Sequence, residues 1–314
     1  MRIASLLPSA TETVAALGLT QHLVGVTHEC DYPESVRKLP RLTQSLLPNG
    51  LSSAEIDEAV RISQRDKHTI YGLDTELLAR LEPDFVLTQS LCEVCAVPRS
   101  AVDEAVCSMP VAATVLSLDP SSLEEMLDDI VRVGRTLGCA ERADAVVAWL
   151  RRRVDTVRDK ASSATKRPRV FCAEWLDPIF CGGHWLPEMV SIAGGEDALG
   201  RPFTDSVRVD WQAVREWAPE VLIMMPCGFD AAGALGEARC MTRRDGWQDL
   251  PAVRDGKVYV VDANAYYARP GPRLVDGVEI LGRLLHPEVF DEPLAEGVAY
   301  RLVEGYSNRF EPCR

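Results

Sequence analysis

Short apolar runs alternate along the chain with segments that have the hydrophobic spacing of helices. After the first run, Ser9 and Glu12 predict a capping box, and Gly18 predicts the end of the helix that they open. This alternation is typical of strands and helices arranged as parallel β-α-β units. The predicted strands lie at residues 3–7, 23–27, 85–88, 111–116, 170–173, 221–225 and 257–261.

The middle of the chain carries two consecutive helical patterns. A capping box of Ser121 and Glu124 opens the first, which ends at Gly138, and the second covers residues 141–160. At a rise of about 1.5 Å per residue, the second helix is about 30 Å long, enough to join two lobes. Two more helices are predicted, at residues 187–194 and 272–285.

Two segments of the chain resemble each other, residues 74–87 and 210–223. Each predicts a short helix, a proline followed by an acidic residue, and then an apolar strand. The sequence therefore predicts an α/β protein of two similar lobes with mostly parallel sheets, joined by the long helix, with a ligand cleft between the lobes. The predicted divisions are an N-terminal lobe at 1–120, a helical connector at 121–167 and a C-terminal lobe at 168–314.

Composition excludes several classes of protein. The 314 residues are 46% hydrophobic, which excludes disorder, and are numerous enough to fold without disulfide staples. Asp and Glu total 47 against 34 Lys and Arg, a net charge of −13 that repels nucleic acid and anionic lipid. No apolar run approaches the roughly 20 residues that a membrane-spanning helix needs. We therefore expect neither nucleic-acid binding nor insertion into a membrane.

The start of the sequence and its cysteines bear on the compartment. Met1 leads directly into an apolar strand, without the basic segment, apolar stretch and cleavage site of a signal peptide. Ten cysteines are scattered along the chain, a distribution typical of reduced, buried thiols. The sequence therefore predicts a cytoplasmic protein.

The loops that follow the predicted strands are rich in side chains that bind ligands. In open parallel sheets, ligands bind beyond the carboxyl ends of the strands. Aromatic residues are only 6% of the chain, yet they concentrate near these loops, which suits a large flat ligand. The candidate ligand-binding residues are His28, Glu29, Tyr71, Gln89, Glu174, Trp175, His184, Trp185, Phe229, Tyr267 and Arg269.

Three further chemistries fit the same loops. Cys92 and Cys95 have the spacing of half a zinc knuckle, so they could bind a transition metal such as Zn together with His28 and His184. No second Cys-x-x-Cys pair completes the knuckle. A thioredoxin-like redox pair and a Cys-His-Glu nucleophilic site also remain open.

Four motifs of the chain are LPSATE at 7–12, VGVTHECDYP at 24–33, LEPDFVL at 81–87 and ARPGPR at 268–273. They resemble motifs of the periplasmic cobalamin-binding proteins, which belong to the helical-backbone class of substrate-binding proteins. This class serves corrinoids, haem and ferric siderophores, and the resemblance implies two Rossmann-like lobes bridged by one long helix. Tyr71 and Arg269 match ligand-facing positions of the family, and His28, Glu29 and Trp175 fall where its members touch ligand.

The sequence also departs from this family. Gln89, Cys92 and Cys95 follow the third strand where the periplasmic proteins have a tryptophan. Glu76 matches one of two acidic residues that grip an ABC permease, but Gln212 stands at the other position, which argues against docking to such a permease. The resemblance is closer to leaderless cytoplasmic relatives.

The leading hypothesis is a cytoplasmic binding protein, not an enzyme, for cobalamin or a related metal macrocycle. His28 or His184 would approach the metal, and Arg269 would anchor the side chains of the ring. Aromatic walls would come from Tyr71, Trp175 and Trp185. The alternative is a transition-metal-binding protein or metalloenzyme that uses Cys92, Cys95, His28, His184 and Glu174. A transporter subunit exported by an unconventional route is a third possibility.

Overall fold

The structure is a computed structural model that divides into two compact units. The first unit comprises residues 1–120 and 124–148, and the second comprises residues 121–123 and 149–314. The structure describes residues 1–48, 50–66, 68–90, 97–109, 112–303 and 309–313.

The first unit is built on a parallel sheet. Its strands are β1 (Ile3–Ser5), β2 (Leu23–Gly25), β3 (Thr43–Ser45), β4 (Tyr71–Leu73), β5 (Phe85–Thr88) and β6 (Thr114–Ser117). Within the described residues, the sheet has the order β2-β1-β5-β6, and β3 and β4 form a separate antiparallel pair. Its helices are α1 (Pro8–Ala16), α2 (Ser53–Asp66), α3 (Thr75–Arg80), α4 (Arg99–Cys107) and α5 (Leu123–Thr136).

The second unit is built on a mixed sheet. Its strands are β7 (Val170–Leu176), β8 (Ile179–Cys181), β9 (Gly183–His184), β10 (Arg201–Pro202), β11 (Val221–Met224), β12 (Val258–Val261), β13 (Ala299–Leu302) and β14 (Phe310–Pro312). The described part of this sheet has the order β14-β13-β12-β11-β7-β8, in which β12, β11 and β7 are parallel. The predicted α/β class with mostly parallel sheets is confirmed.

Helices cover the second sheet and bury its apolar side chains. They are α7 (Leu186–Ile192), α8 (Trp211–Trp217), α9 (Ala231–Glu237), α10 (Arg239–Thr242), α11 (Pro251–Arg254), α12 (Ala263–Tyr266) and α13 (Leu274–Leu285). The core includes Phe171, Met224 and Trp247. In the first unit, Leu42, Leu78 and Val86 occupy the corresponding interior. Short 3₁₀ helices lie at Thr20–His22, Glu34–Lys38 and Trp247–Asp249.

The long predicted helix is α6 (Ala140–Ser162), and its residues are divided between the two units. Arg153, on its second-unit part, donates from Nε to Oε1 of Glu279 at 2.8 Å and from Nη2 to Oδ1 of Asp276 at 2.5 Å. Both carboxylates lie on α13 and raise the pKa of Arg153 against the opposing effect of burial. Arg153 therefore fixes α6 to α13 within the second unit.

The two similar segments fold into the same corner. In the first unit, backbone N–H groups of Asp84 and Phe85 donate to the carbonyl of Arg2, whose Nε donates to the Leu81 carbonyl. In the second unit, the backbone N–H groups of Glu220 and Val221 donate to the carbonyl of Arg169. The Nε of Arg169 donates to the Trp217 carbonyl.

Both corners also place a non-glycine residue in the left-handed region directly before the proline. Glu82 has φ 42° and Ala218 has φ 49°. Because the residue before proline is disfavoured in the right-handed helical region, this conformation ends each helix at a sharp turn.

Some predicted boundaries are wrong. The first helix begins at Pro8, so Leu7 is its N-cap residue and makes no side-chain cap, and Ser9 lies inside the helix. Proline takes the first helical position because its missing N–H would be unpaired there in any case. The fourth strand is Thr114–Ser117 rather than residues 111–116, and the last long helix begins at Leu274 rather than at residue 272.

None of the helices in the described ranges combines the length and the apolar character that crossing a bilayer would require.

Candidate functional site

The turn at residues 27–30 carries His28 and Glu29 beyond the end of β2. Arg41 donates from Nη1 to the carbonyl oxygens of Thr27 at 2.7 Å and of Cys30 at 2.9 Å. Beneath the turn, the buried thiol of Cys30 lies 3.1 Å from Thr11 Oγ1 and 3.2 Å from Thr27 Oγ1. The turn is therefore held from both sides, by a guanidinium on its carbonyls and by a buried polar network.

His28 is the best-defined chemical group of the first unit. Its Nδ1 lies 2.8 Å from Thr43 Oγ1, and its backbone N–H donates to the same oxygen at 3.2 Å. Glu29 Oε1 is 4.0 Å from the other ring nitrogen, Nε2. Burial lowers the pKa of His28, with Glu29 acting to raise it and Arg41 to lower it further. Burial therefore favours the neutral form of the ring.

Tyr71, at the start of β4, completes this group. Its ring centroid is 5.6 Å from that of His28, and its hydroxyl donates to Glu29 Oε1 at 3.5 Å. The three predicted residues line a shallow depression, and its lining residues are Leu6, Pro8, Thr27, His28, Glu29, Thr43, Tyr71 and Val97. The structure thus brings together three of the predicted ligand-binding residues.

The remaining predictions for the first unit concern the loop after β5. Gln89 follows this strand directly and is buried. Cys92 and Cys95 lie outside the residues that the structure describes, so their predicted metal binding stays a prediction. Across the described part of the chain, no three His, Cys, Asp or Glu side chains are placed to hold a metal ion.

Glu174 lies in β7, near the carboxyl end of a central strand of the second sheet. Its Oε2 accepts the backbone N–H of Gly183 at 2.9 Å. Removal from solvent, with a further contribution from Asp205, raises the pKa of Glu174 to about 7, although the hydrogen bond opposes the shift. This carboxyl group therefore exchanges its proton near neutral pH.

Trp175 and Phe229 form an aromatic pair in the second unit. Their centroids are 5.8 Å apart with the rings close to edge-to-face. Phe229 is further fixed because its backbone carbonyl accepts the N–H of Asn264 at 3.1 Å. Both side chains are partly exposed, so this pair can contact a flat ligand.

Trp185 and Tyr267 are buried more deeply. Trp185 Nε1 donates to the backbone carbonyl of Tyr267 at 2.7 Å, and the Tyr267 hydroxyl donates to Gly277 at 3.2 Å. Their polar atoms are thus engaged within the second unit. Arg269 is also buried, 7% exposed, and lies near enough to Asp262 to act on the pKa of that carboxyl. Ligand contact by these residues stays a prediction.

His184 stands beside Trp185, with the ring centroids 5.3 Å apart. Oδ1 of Asp205 lies 3.1 Å from its Nε2, close enough for an ion pair but not aligned for a hydrogen bond. The segment that carries Asp205 was not singled out by the sequence.

Arg41 and Thr43 were also missed as site residues. Arg41 contacts Thr27, 14 positions earlier in the chain, and Thr43 contacts His28, 15 positions earlier. A local sequence pattern does not predict contacts at this separation. Pro40 directly before Arg41 is the one local sign that the segment turns there.

The two positions matched to permease contact lie on short helices. Glu76 is in the first turn of α3, and Gln212 is in α8, where its Nε2 donates to Glu216 Oε1 at 2.9 Å. Gln212 also lines a groove of about 430 Å³ together with Arg215 and Leu250. Permease docking stays a prediction.

The described cysteines are all free, and several are buried. Burial raises the pKa of the Cys181 thiol and raises those of Cys240 and Cys313 to about 11. The pKa of the fully buried Cys172 is raised well above its ordinary value for the same reason.

Comparison with known proteins identifies relatives over most of the chain. The family model described as "Periplasmic binding protein" matches residues 3–265. The uncharacterised ABC transporter substrate-binding lipoprotein YvrC of Bacillus subtilis is 27% identical over 298 residues, 93% of this chain and 82% of that protein. A vitamin B12-binding protein of Yersinia pestis is 28% identical over 231 residues, 71% of this chain and 69% of that protein.

Solved structures share the fold. A periplasmic heme-binding protein from Pseudomonas aeruginosa superposes with a TM-score of 0.72 at 20% identity, over 97% of this chain and 99% of that one. The periplasmic vitamin B12-binding protein BtuF of Vibrio cholerae gives a TM-score of 0.66 at 23% identity, over 91% of this chain and 96% of that one.

These comparisons contradict the predicted cytoplasmic location. The relatives are described as a lipoprotein of an ABC transporter and as periplasmic proteins, which work outside the cytoplasm. Free cysteines were a poor guide, because a buried thiol is protected by its surroundings in any compartment. The resemblance to the helical-backbone class is confirmed, and the chain belongs to the periplasmic binding protein family.

Proposed function

We propose that this protein is a substrate-binding protein for a corrinoid, with His28 as a ligand to the cobalt ion of the substrate. One observation carries the proposal. The imidazole of His28 is fixed through Nδ1 by Thr43, while Nε2 makes no hydrogen bond within the described residues. A ring held at one nitrogen and available at the other is the usual arrangement of a metal-binding histidine.

The electrostatics of the turn support this role. Metal binding requires the neutral imidazole, and burial keeps the pKa of His28 below its ordinary value. Arg41 contributes to that shift while it clamps the turn through two carbonyl oxygens. The ligand atom is thus available without the loss of a proton at neutral pH.

The neighbouring groups suit the rest of a large macrocycle. Tyr71 offers an aromatic face beside His28, and Glu29 offers a carboxylate that can accept from amide groups on the ring periphery. Binding of this kind requires no bond to be made or broken in the substrate apart from exchange of a metal ligand.

A corrinoid is favoured over haem by the sequence relatives. The vitamin B12-binding protein of Yersinia pestis is 28% identical over 231 residues, whereas the heme-binding protein from Pseudomonas aeruginosa shares the fold at 20% identity. Haem remains the main competitor, because its iron also accepts an axial imidazole.

The test is a spectroscopic titration of the purified protein with hydroxocobalamin, cyanocobalamin and haemin. We expect saturable binding of hydroxocobalamin with a shift of its visible bands as imidazole replaces the exchangeable ligand. His28→Ala should abolish that shift. Cyanocobalamin, whose cyanide occupies the axial position, should bind wild type and His28→Ala with similar affinity.

His68→Ala is the matched control, because His68 is an exposed histidine of the same unit. It should titrate like wild type. Saturable binding of haemin without binding of either cobalamin would replace the corrinoid by haem. Absence of binding to all three compounds would overturn the proposal.

A further inference from the structure

Glu29 gives the depression of the first unit its negative charge. Eight described residues line this depression, and Glu29 is the only Asp, Glu, Lys or Arg among them. Its side chain is 40% exposed, so the carboxylate can meet a ligand that enters. A bound molecule therefore meets an acceptor with a negative charge, and the described lining offers no lysine or arginine to balance that charge.

The position of Glu29 is fixed at both its backbone and its carboxylate. The backbone N–H donates to Thr27 Oγ1 at 3.2 Å, and the hydroxyl of Tyr71 donates to Oε1 at 3.5 Å. Oε1 also lies 4.0 Å from Nε2 of His28, the nitrogen that the proposed function assigns to the metal. Side chains at the edge of a macrocycle bound at that nitrogen can therefore reach the carboxylate.

The cation that acts on this site is already engaged with the backbone. Arg41 donates from Nη1 to the carbonyls of Thr27 and Cys30, and from Nη2 to the carbonyl of Arg37 at 3.3 Å. Arg41 is not among the residues that line the depression. An anionic group on a ligand would have to compete with these carbonyls for the guanidinium, while Glu29 repels it.

The macrocycles that compete for the site differ in the charge at their edges. A corrinoid carries primary amides, whose N–H groups can donate to a carboxylate, and such charge-assisted hydrogen bonds are among the strong ones. Haem carries propionates, which are anionic. Placing like charges side by side costs affinity, and this cost is a common source of specificity. One carboxylate on the lining thus favours the amide-bearing ring and disfavours the carboxylate-bearing one.

We infer that Glu29 is the specificity-determining residue of this site, selecting macrocycles that carry amides at the edge and rejecting those that carry carboxylates. This selection rests on the proposed function and adds to it the class of peripheral group that the site admits. Glu29 acts through its charge and not through the metal. It should therefore distinguish even two corrinoids that differ in a single peripheral group.

The test measures Kd for cyanocobalamin and for its derivatives in which one peripheral amide is hydrolysed to a carboxylate, each position separately. We expect wild type to bind at least one derivative on the order of tenfold more weakly than cyanocobalamin. Glu29→Gln should bind cyanocobalamin more weakly than wild type does, because its hydrogen bond to the amide is no longer charge-assisted. It should bind that derivative no more weakly than cyanocobalamin. Glu29→Asp keeps the charge and should keep the preference.

Haemin provides a second readout. Glu29→Gln should lower Kd for haemin, and added salt should shrink the difference from wild type because it screens exposed charges. The matched control is Glu104→Gln, which removes one carboxylate from an exposed position of α4 that does not line the depression. This control should keep the wild-type preference among all the compounds.

Two results would overturn the role of Glu29 and leave the proposed function intact. In one, wild type binds cyanocobalamin and all of its carboxylate derivatives equally well. In the other, the preference for cyanocobalamin persists in Glu29→Gln. If wild type binds no cobalamin, the proposed function is wrong, and the role of Glu29 is wrong with it.

Discussion

Thr43 Oγ1 lies 2.8 Å from Nδ1 of His28 and also accepts the backbone N–H of His28 at 3.2 Å. The hydroxyl can either donate to Nδ1 or accept from it. Only the second arrangement leaves a lone pair on Nε2, so metal binding at Nε2 should fix the proton on Nδ1 and make Thr43 the acceptor. The Thr43 hydroxyl thus positions the ring and can accept the proton that the metal-binding tautomer carries on Nδ1.

Thr43→Val removes this hydroxyl with little change of shape. We expect Kd for hydroxocobalamin to rise about 10- to 100-fold, as is common when the hydrogen-bond partner of a metal-binding histidine is lost. Thr43→Ser keeps the hydroxyl and should stay near wild type. Binding of cyanocobalamin, which cannot accept the imidazole without losing cyanide, should change little. An equal loss for both cobalamins would mean that Thr43 acts only on the shape of the depression.

The raised pKa of Glu174 makes the stability of the protein depend on pH. Burial, and then Asp205, raise that pKa to about 7, so the folded state binds the proton more tightly than the unfolded state. The stabilising contribution is present at low pH and is lost as pH rises toward and through 7. We expect the melting temperature of wild type to fall between pH 5 and 8, and we expect Glu174→Gln to remove part of that fall.

The difference between wild type and Glu174→Gln is the informative quantity, because other groups titrate in the same window. Burial raises the pKa of Asp197 to about 6, with the same sign of effect. The lowered pKa of His28 acts in the opposite direction. Parallel curves for the two proteins would show that Glu174 does not change its charge over this range.

Two glycines should respond in opposite ways to the same substitution. A Cβ atom at Gly183 would lie 2.4 Å from the backbone nitrogen of Ser206, so the two segments would have to separate. Gly183→Ala should therefore lower the free energy of unfolding by about 1–3 kcal/mol. At Gly236, inside α9, a Cβ atom meets nothing within 4 Å. Gly236→Ala should therefore raise the free energy of unfolding by about 0.5–1 kcal/mol.

Chemical denaturation measures both changes, and Gly236→Ala serves as the control for Gly183→Ala. If Gly183→Ala is as stable as wild type, the segment after β10 can move away from residue 183 without lowering the free energy of unfolding.

Elements whose signal is local were predictable from the sequence. The strand Phe85–Thr88 agrees with the prediction, because a short apolar run between a Pro-acid turn and a polar loop has few alternatives. The pair β3 and β4 was missed, since Thr43–Ser45 is polar at all three positions and exposed at two of them. Its pairing with Tyr71–Leu73 is decided by contacts remote in sequence.

The residues of the candidate site also differ in whether a local sequence signal marks them. His28 and Glu29 were identifiable because they follow a predicted strand, and Tyr71 because it matches a family position. Arg41 and Thr43 act on the turn from another segment, and nothing in their own neighbourhood marks them.

The raised thiol pKa values have a practical consequence for work with the purified protein. The thiolate is the form that alkylating agents and oxidants attack, and burial suppresses it at Cys172, Cys181, Cys240 and Cys313. These side chains should stay inert in aerated buffer without added reductant. Alkylation of the folded protein should therefore label the exposed Cys107 before any of these four.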